Sequence, residues 1–374
     1  MKNRKIINVE LLIKNKCFLN CNHCFFSGKP SFYNKKAYQS LYRKLNHLIK
    51  YFKINKKRYN VFLYPREYST DLNLLSYNKL LKNDAIFTNG PLENEEMFFK
   101  FCQESGIRTL IFSLHGNAKS YCKLTGNSPA SYRLIFKNIK TALRKNFRVE
   151  VFHVVTHFNV NQVEKFIEKC NELKINRIRF IRLFPAGNAE RLPDEYFLTK
   201  DDFYKFVEKI ELIKLKGLSR YTRLGISYTF GPNFYSKPFR DFLSGKITLA
   251  WPKSKFGCPI INNQLLAIDL FSDNIFWCFF LQSLPEAIIG KLKFRKDKPV
   301  FNVKFPKFDE ATLSKNLDGI CSKNYCRFHK ECLGGCRAVA YLFGRKNNRK
   351  NPIYAGMDMC YTKAIEDLGI YKKL

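Results

Sequence analysis

No apolar run in the 374-residue sequence approaches the length of a bilayer span. The most apolar stretches, Val149–Val155 and Phe276–Leu281, are far too short, so a transmembrane helix is excluded and no membrane partner is expected. No secretory leader is read either, because the apolar segment behind the basic Met1–Glu10 breaks at Lys14 and Lys16. A cytoplasmic location is the expectation. Acidic residues are scarce: 31 Asp+Glu stand against 66 Lys+Arg, leaving a formal charge of +35. The excess is spread along the whole chain, with no arginine-rich arm and no recognised RNA- or DNA-binding motif. Heavy use of Lys, Asn, Phe, Ile and Tyr is also what A+T-rich coding produces, so nucleic acid is not an expected partner. The charge fits a solvated basic surface or the steering of an anionic partner such as an acidic peptide. There is no internal repeat and no low-complexity linker.

What is present is enough to fold. Hydrophobic residues make up 45% and aromatics 16% of the chain, so it can bury a core. Its length suits two domains, or one large α/β unit with an appendage. Thirteen cysteines in a chain read as cytoplasmic point to metal or thiol chemistry rather than disulfides.

The first half alternates strand-like and helix-like segments. Ile6–Ile13, Val61–Leu63, Asp84–Thr88, Thr109–Leu114, Arg148–Val155 and Ile178–Leu183 read as strands. Tyr38–Phe52, with Leu41, Leu45, Leu48, Ile49 and Phe52 at helical spacing, reads as a helix, as do Ser131–Lys145 and Asn161–Leu173. This alternation predicts a parallel sheet with helical crossovers, open or curled into a partial barrel. The active site of such folds lies at the carboxyl ends of the strands. Cys17–Cys24, Tyr64–Glu67, Thr88–Gly90, Ser113–Gly116 and Phe184–Gly187 all fall there. Beyond about Arg191 the alternation fades, although Asp201–Lys216 suits one more helix. From about Trp251 the chain becomes cysteine-rich: Cys258 to Cys360 hold seven of the thirteen.

Cys17-Phe-Leu-Asn-Cys21-Asn-His-Cys24 puts three thiols within eight residues, directly after a strand. Three thiolates on a tight loop can hold three irons of a four-iron cube and leave the fourth open to a substrate. The alternative is a zinc loop, although structural zinc usually pairs two C-x-x-C knuckles and only Cys21 and Cys24 form one.

At this point the sequence resembles the radical S-adenosylmethionine (SAM) superfamily, marked by C-x3-C-x2-C after the first strand of a partial (β/α)6 barrel. The resemblance runs in order through residue 187. Tyr64-Pro65-Arg66-Glu67 stands where the family usually has Gly-Gly-Glu, and Thr88-Asn89-Gly90 where its third strand ends. Ser113-Leu114-His115-Gly116 with Leu124-Thr125-Gly126 looks like the fourth-strand stretch, and Val154-Val155-Thr156 with Asn159 like the fifth. The resemblance implies that Cys17, Cys21 and Cys24 are catalytic and ligate a [4Fe-4S] cluster that binds SAM. It also implies SAM contacts from His23, Glu67, Thr88, Asn89, Ser113 and Asn159. Pro65 departs from the family pattern by removing an N–H and fixing φ. The alternatives are a surface carboxylate for Glu67 beside Arg66, a structural hydrogen bond for His115, and buried structural roles for Ser113 and Asn159.

The later cysteines resemble the SPASM appendage of many of these enzymes. Cys258 is followed by 14 residues, then Asp273 in place of a glycine, then four residues to Cys278. Cys326-x5-Cys332-x3-Cys336 fits as it stands; Cys321 lies four residues before Cys326 where two are expected, and Cys360 closes the set. The resemblance implies two auxiliary [4Fe-4S] clusters. The outer would be held by Cys321, Cys326, Cys332 and Cys360, the inner by Cys258, Cys278 and Cys336. Cys102 and Cys170 are left as core thiols, with Cys122 near the barrel mouth.

The fold class expected is α/β: a partial (β/α)6 TIM-like barrel at 1–195, a bridging region at 196–250, and a Cys-rich SPASM-like auxiliary cluster domain at 251–374. The expected function is reductive cleavage of SAM to a 5′-deoxyadenosyl radical and hydrogen abstraction from a ribosomally made precursor peptide, giving a crosslink or an epimer. The alternatives are a cofactor or small-molecule maturase with the same clusters, an iron–sulfur electron carrier, or an RNA-modifying enzyme. Expected partners are the precursor peptide, with an acidic leader, and a reductant such as flavodoxin or ferredoxin. Only 16 residues precede Cys17, so leader recognition falls to the barrel, the appendage, the bridge or a separate protein.

Overall fold

The computed structural model describes residues 6–26, 34–55, 58–92, 94–232, 258–261, 263–306 and 310–370. Chain order begins with strand β1 (Ile7–Ile13), whose residues from Val9 to Ile13 are almost all apolar and fully buried. Such a run suits a strand covered on both faces. Helix α1 (Lys35–Ile54) follows, its first turn capped by Asn34, which accepts from the Ala37 N–H. The face it buries carries Leu41, Leu45, Leu48, Ile49 and Phe52, the same five residues the spacing singles out.

The alternation continues through β2 (Tyr59–Pro65), α2 (Asn73–Leu81), β3 (Ala85–Thr88), α3 (Glu95–Glu104) and β4 (Thr109–Ser113). Next come α4 (Ala118–Thr125), α5 (Pro129–Arg144), β5 (Arg148–Val155), α6 (Val163–Glu172), β6 (Arg177–Arg182) and α7 (Lys200–Leu215). Proline at the first position of α5 and Ser128 as its cap set that helix start, and Thr199 and Asp202 form a capping box on α7. Cys102 and Cys170, on α3 and α6, are buried core thiols, as expected.

All strand pairs among β1–β6 are parallel, giving the expected curled half-barrel. Two features differ from the sequence expectation. The hydrogen-bonded ladder is divided into two sheets, with order β3-β4-β5-β6-β7 in one and β1-β2 at the edge of the other. A seventh parallel strand, β7 (Arg223–Ile226), extends the sheet from β6, and it lies in the bridging segment. Strand β8 (Leu265–Asp269) pairs parallel with β1 on the side away from β2. It leads into an antiparallel ribbon of β9 (Asn274–Phe276), β10 (Ile288–Arg295) and β11 (Lys298–Val303). The cysteine-rich end is short and helical: α8 (Glu310–Asn316), α9 (His329–Cys332), α10 (Arg337–Lys346) and α11 (Tyr361–Asp367). The calls on Trp251–Gly257 and most of the bridge, 233–250, lie outside the described residues. No helix among the described residues is long and apolar enough to cross a membrane.

Candidate functional site

The loop after β1 is fixed by a buried amide. Asn15, fully buried, accepts from the backbone N–H groups of Arg66 (2.8 Å) and Glu67 (3.3 Å) and donates to the Glu67 carbonyl at 2.6 Å. It thus ties the β1 loop to the β2 loop at the carboxyl end of the barrel. The Tyr64–Glu67 segment takes up this arrangement with proline in it, since Pro65 is the last residue of β2 and the Arg66 N–H makes the next rung, to the Ile13 carbonyl at 2.9 Å.

Glu67 is 2% exposed, so it is not a surface carboxylate. Its Oε1 accepts from the Ser69 N–H and the Thr88 hydroxyl, both at 3.0 Å, and its Oε2 from the Asn89 N–H at 2.6 Å. The carboxylate therefore spans the gap between β2 and β3, where the backbone ladder is interrupted. Asn89 turns its side chain the other way, donating to Cys17 Sγ at 2.8 Å. Cys17, Glu67, Thr88 and Asn89 form one connected group. Burial pushes the Glu67 carboxyl above its ordinary value against these donors, so the ionised form calls for a cation beside it.

Cys17, Cys21 and Cys24 are half-buried and lie within each other's electrostatic reach. Burial pushes the Cys17 thiol up to about 12, with Glu67 adding to the rise; Cys21 and Cys24 are also raised by burial. Desolvated thiols of this kind shed their protons on binding a metal, which supplies the missing positive charge. The Cys21 carbonyl takes the Cys24 N–H at 3.1 Å and the Asn188 side-chain amide at 3.1 Å, and the Cys24 carbonyl takes the Asn188 N–H at 2.8 Å. Asn127 donates to Cys21 Sγ at 3.5 Å. Gly187, at φ +60°, is required here: a Cβ would stand 2.4 Å from the Phe25 carbonyl oxygen and 2.6 Å from that of Cys24.

Two histidines flank the loop. His23 and His115 meet edge to face with centroids 4.8 Å apart. His23 Nδ1–H donates to the Leu124 carbonyl at 3.3 Å, and His115 Nδ1 accepts from the Val154 N–H at 3.1 Å, which leaves the His115 proton on Nε2. Burial lowers both, His23 to about 4, so both are neutral at pH 7. Asn159 is fully buried with its amide spent on β5: Oδ1 accepts from Thr156 N–H and Nδ2 donates to the Val154 carbonyl, each at 2.8 Å. Ser113 closes β4, half-buried.

The seven later cysteines fall into two neighbourhoods. Cys321, Cys326, Cys332 and Cys360 line one cavity with Gly334, Gly335 and Met357, and Cys332 is in electrostatic contact with the other three. Backbone donors aim at the sulfurs: Gly335 N–H to Cys332 Sγ at 3.1 Å and Met357 N–H to Cys321 Sγ at 3.2 Å. Cys278 is in contact with Cys336 and Cys258, and Cys336 with Cys258. Among the described residues no group of three or more His, Cys, Asp or Glu is drawn tightly enough to hold a single metal ion. A cube of four irons and four sulfides is broader than one ion, and four thiols lining one cavity, two of them taking backbone N–H groups, suit that donor chemistry.

Several site residues carry no sequence signature of their own. Asn127 and Asn188 reach the cysteine loop from 106 and 167 residues away, and Asn15, two residues before Cys17, ties that loop to Glu67, 52 residues on. Tyr228, in a short 3-10 turn after β7, is in electrostatic contact with Cys258 and Cys336 on one side and Cys332 and Cys360 on the other. Glu10, in the middle of β1, is 3% exposed and near Tyr64 and Cys278. Of these, Glu10 alone has a signal that sequence reasoning could have used, a carboxylate inside a largely apolar strand.

Residues 11–170 match the family model described as the radical SAM superfamily. No curated protein matches the chain. Among solved structures the fold is similar to that of native anSMEcpe with bound AdoMet: TM-score 0.65 and 16% identity, over 98% of this chain and 97% of that one. The complex of native anSMEcpe with AdoMet and the Cp18Cys peptide gives 0.65 and 17% over the same shares. Streptococcus suis SuiB bound to the precursor peptide SuiA gives 0.63 and 16%, over 96% of this chain and 76% of that one. At such identities the likeness is one of fold.

Proposed function

We propose, from the premise that residues 11–170 form a radical SAM domain, that this chain is a radical SAM enzyme acting on a ribosomally made precursor peptide. The observation that carries the reading is the connected group at the barrel mouth, in which Asn89 bridges Cys17 and Glu67. Cys17, Cys21 and Cys24 would hold a [4Fe-4S] cluster, which with SAM supplies reductive cleavage to methionine and a 5′-deoxyadenosyl radical.

The protein's own part is positioning. Glu67, held by three donors, is a buried anion suited to the ammonium of an amino acid. Thr88 and Asn89 fix that carboxylate. Asn89 and Asn127 donate to the sulfurs of Cys17 and Cys21, and such hydrogen bonds tune a cluster. Neutral His23 and His115 offer aromatic edges beside the loop for a nucleobase, and Ser113 a half-buried hydroxyl. Asn159 acts through the turn after β5 that it locks.

Residues 1–195 would form the catalytic barrel, 196–250 a bridge that lends it β7, and 251–374 an auxiliary domain. Cys321, Cys326, Cys332 and Cys360 would hold an outer auxiliary [4Fe-4S] cluster and Cys258, Cys278 and Cys336 an inner one. The peptide reading is supported by the fold shared with SuiB and anSMEcpe, both solved with peptides, and by the charge of +35, which favours an acidic leader. Flavodoxin or ferredoxin would supply electrons in the cytoplasm.

The test is anaerobic reconstitution, reduction and incubation with SAM, read as 5′-deoxyadenosine. Absence of that product from iron-loaded protein would reject the enzyme reading. Co-expression with a short open reading frame adjacent to the gene, followed by mass spectrometry, tests the substrate: a loss of two hydrogens or deuterium uptake is expected.

A further inference from the structure

Arg337 follows Cys336 directly and begins α10, yet its side chain is only 1% exposed. Arginine is seldom fully buried unless paired, and its head group normally reaches water. Here Nη1 donates to the Gly334 carbonyl at 3.3 Å and Nη2 to the Ile353 carbonyl at 2.6 Å. Nε is buried with no hydrogen-bond partner among the described residues. Burial lowers the guanidinium's affinity for its proton, and the main charges that oppose this are cysteines of both neighbourhoods, Cys258 and Cys336 from one and Cys321 and Cys332 from the other. Room for it is made by Gly334, at φ +80°, where a Cβ would come within 2.5 Å of Nη1. A buried cation without a carboxylate costs several kcal/mol of desolvation unless another anion offsets it. Among the described residues, the main groups acting on it that can carry negative charge are the cysteine thiols, as thiolates.

We infer that Arg337 is a positioning residue of the auxiliary domain, its buried cation held beside the Cys332–Cys336 segment and raising the reduction potential of iron–sulfur clusters held there. The inference rests on the proposed reading of those cysteines as cluster ligands. Reduction adds one electron, and so one negative charge, to a cluster. A cation at short range in a desolvated setting favours that charge more than the oxidised state, and nearby charge and burial are among the factors that set such potentials. A barrel that generates substrate radicals needs somewhere for an electron to go, and Arg337 biases the appendage towards taking it.

The experiment uses the full chain carrying Cys17→Ala, Cys21→Ala and Cys24→Ala, so that only auxiliary clusters contribute to the signal. Arg337→Gln, which keeps a donor but not the charge, and Arg337→Lys, which keeps the charge, are compared with this parent. Iron and sulfide content and the midpoint of an electron paramagnetic resonance redox titration are read. The expected result is a lower midpoint in Arg337→Gln and one near the parent's in Arg337→Lys. Iron lost from the Gln variant but kept by Lys at the parental midpoint also supports the role of the charge. An unchanged midpoint in iron-loaded Arg337→Gln, an equal shift in both variants, or loss of iron from both would overturn the inference and leave the cluster reading standing. A parent without iron and sulfide would overturn the cluster reading itself.

Discussion

Arg182, the last residue of β6, is joined to Asp358, two residues before Cys360, by a two-pronged ion pair: Nη1 donates to Oδ1 at 2.6 Å and Nη2 to Oδ2. The guanidinium is 1% exposed and lies over the Phe343 ring of α10 at 4.0 Å. This contact fastens the barrel to the cysteine-rich end across 176 residues of sequence. Removing one partner of a buried pair leaves a stranded charge, at about 3–5 kcal/mol. Asp358 is 29% exposed on its side chain, which lowers the figure to about 2–3 kcal/mol. Denaturant unfolding of Arg182→Met, Asp358→Ala and the double variant is expected to show coupling, the second substitution costing much less than the first. Additive losses would mean that the two residues act independently.

Glu67→Gln keeps the size of the side chain and removes its charge. A hydrogen bond to a charged group is worth about 1.5–3 kcal/mol, so the apparent affinity for SAM should fall roughly 10- to 100-fold. Cysteine loading should survive, since Asn15 and Asn89 hold the loops by other atoms. The readout is SAM binding by isothermal titration to the reconstituted variant, with iron content as the control. Unchanged affinity would show that Glu67 serves only to bridge β2 and β3.

Gly187→Ala tests whether the β6 loop must close on the cysteine loop. The new Cβ meets two carbonyl oxygens at 2.4 and 2.6 Å, both backbone, and the residue sits at φ +60°. A left-handed alanine alone costs about 1–2 kcal/mol, and the collision adds to it. Iron bound per chain after reconstitution should drop sharply while circular dichroism stays near that of the parent. Full loading would mean the loop can move away without cost to the cluster.

Much of this arrangement is legible in the sequence because it is local. The helix faces of α1 and α6, the strand that precedes Cys17 and the cysteine spacings are patterns within a few residues of one another. What is not legible depends on partners far apart. Asn127 and Asn188 are ordinary polar residues until the fold brings them to the loop, and Asn15 until it brings Glu67 to Asn15. Strand β7 is four residues, Arg-Leu-Gly-Ile, with only two apolar side chains, too short and too weakly apolar to register. The pairing of β8 with β1 also has no local mark, since an apolar run does not say which edge it will join. The division between β2 and β3 has no local mark either; there the Glu67 carboxylate, taking the Thr88 hydroxyl and the Asn89 N–H, stands where ladder bonds would be.

Glu10 gives a dependence of stability on pH with a definite sign. It stands on β1 opposite Phe62 of β2 and Ala267 of β8, with one carboxyl oxygen unpartnered among the described residues. Burial raises it from 4.5 to about 8, so the folded chain keeps its proton where the unfolded chain has lost it. Its contribution to stability is complete below about pH 4.5 and is lost as pH rises to about 8, at up to about 1.4 kcal/mol per pH unit. Glu10→Gln, a neutral isostere, should remove that slope. Comparing the two proteins by denaturant unfolding from pH 5 to pH 8, the wild type should lose ground steadily to the variant. Parallel curves would mean that Glu10 is ionised in the fold.

The two sets of cysteines should fail in different ways. Cys17 is linked through Asn89 to Glu67, so Cys17→Ala removes a ligand and disturbs the group that would hold SAM. Reductive cleavage should fall to background. Cys360 stands at the start of α11, where a Cβ on Gly231 would come within 3.2 Å of its sulfur, and it lines the cavity shared with Cys321, Cys326 and Cys332. Cys360→Ala should therefore lose iron and still form 5′-deoxyadenosine, since the described residues lining its cavity do not include Cys17, Cys21 or Cys24. Measuring iron content and 5′-deoxyadenosine together on both variants separates the roles. Cleavage retained by Cys17→Ala would remove it from the catalytic centre, and a Cys360→Ala protein with unchanged iron would take that residue off the list of ligands.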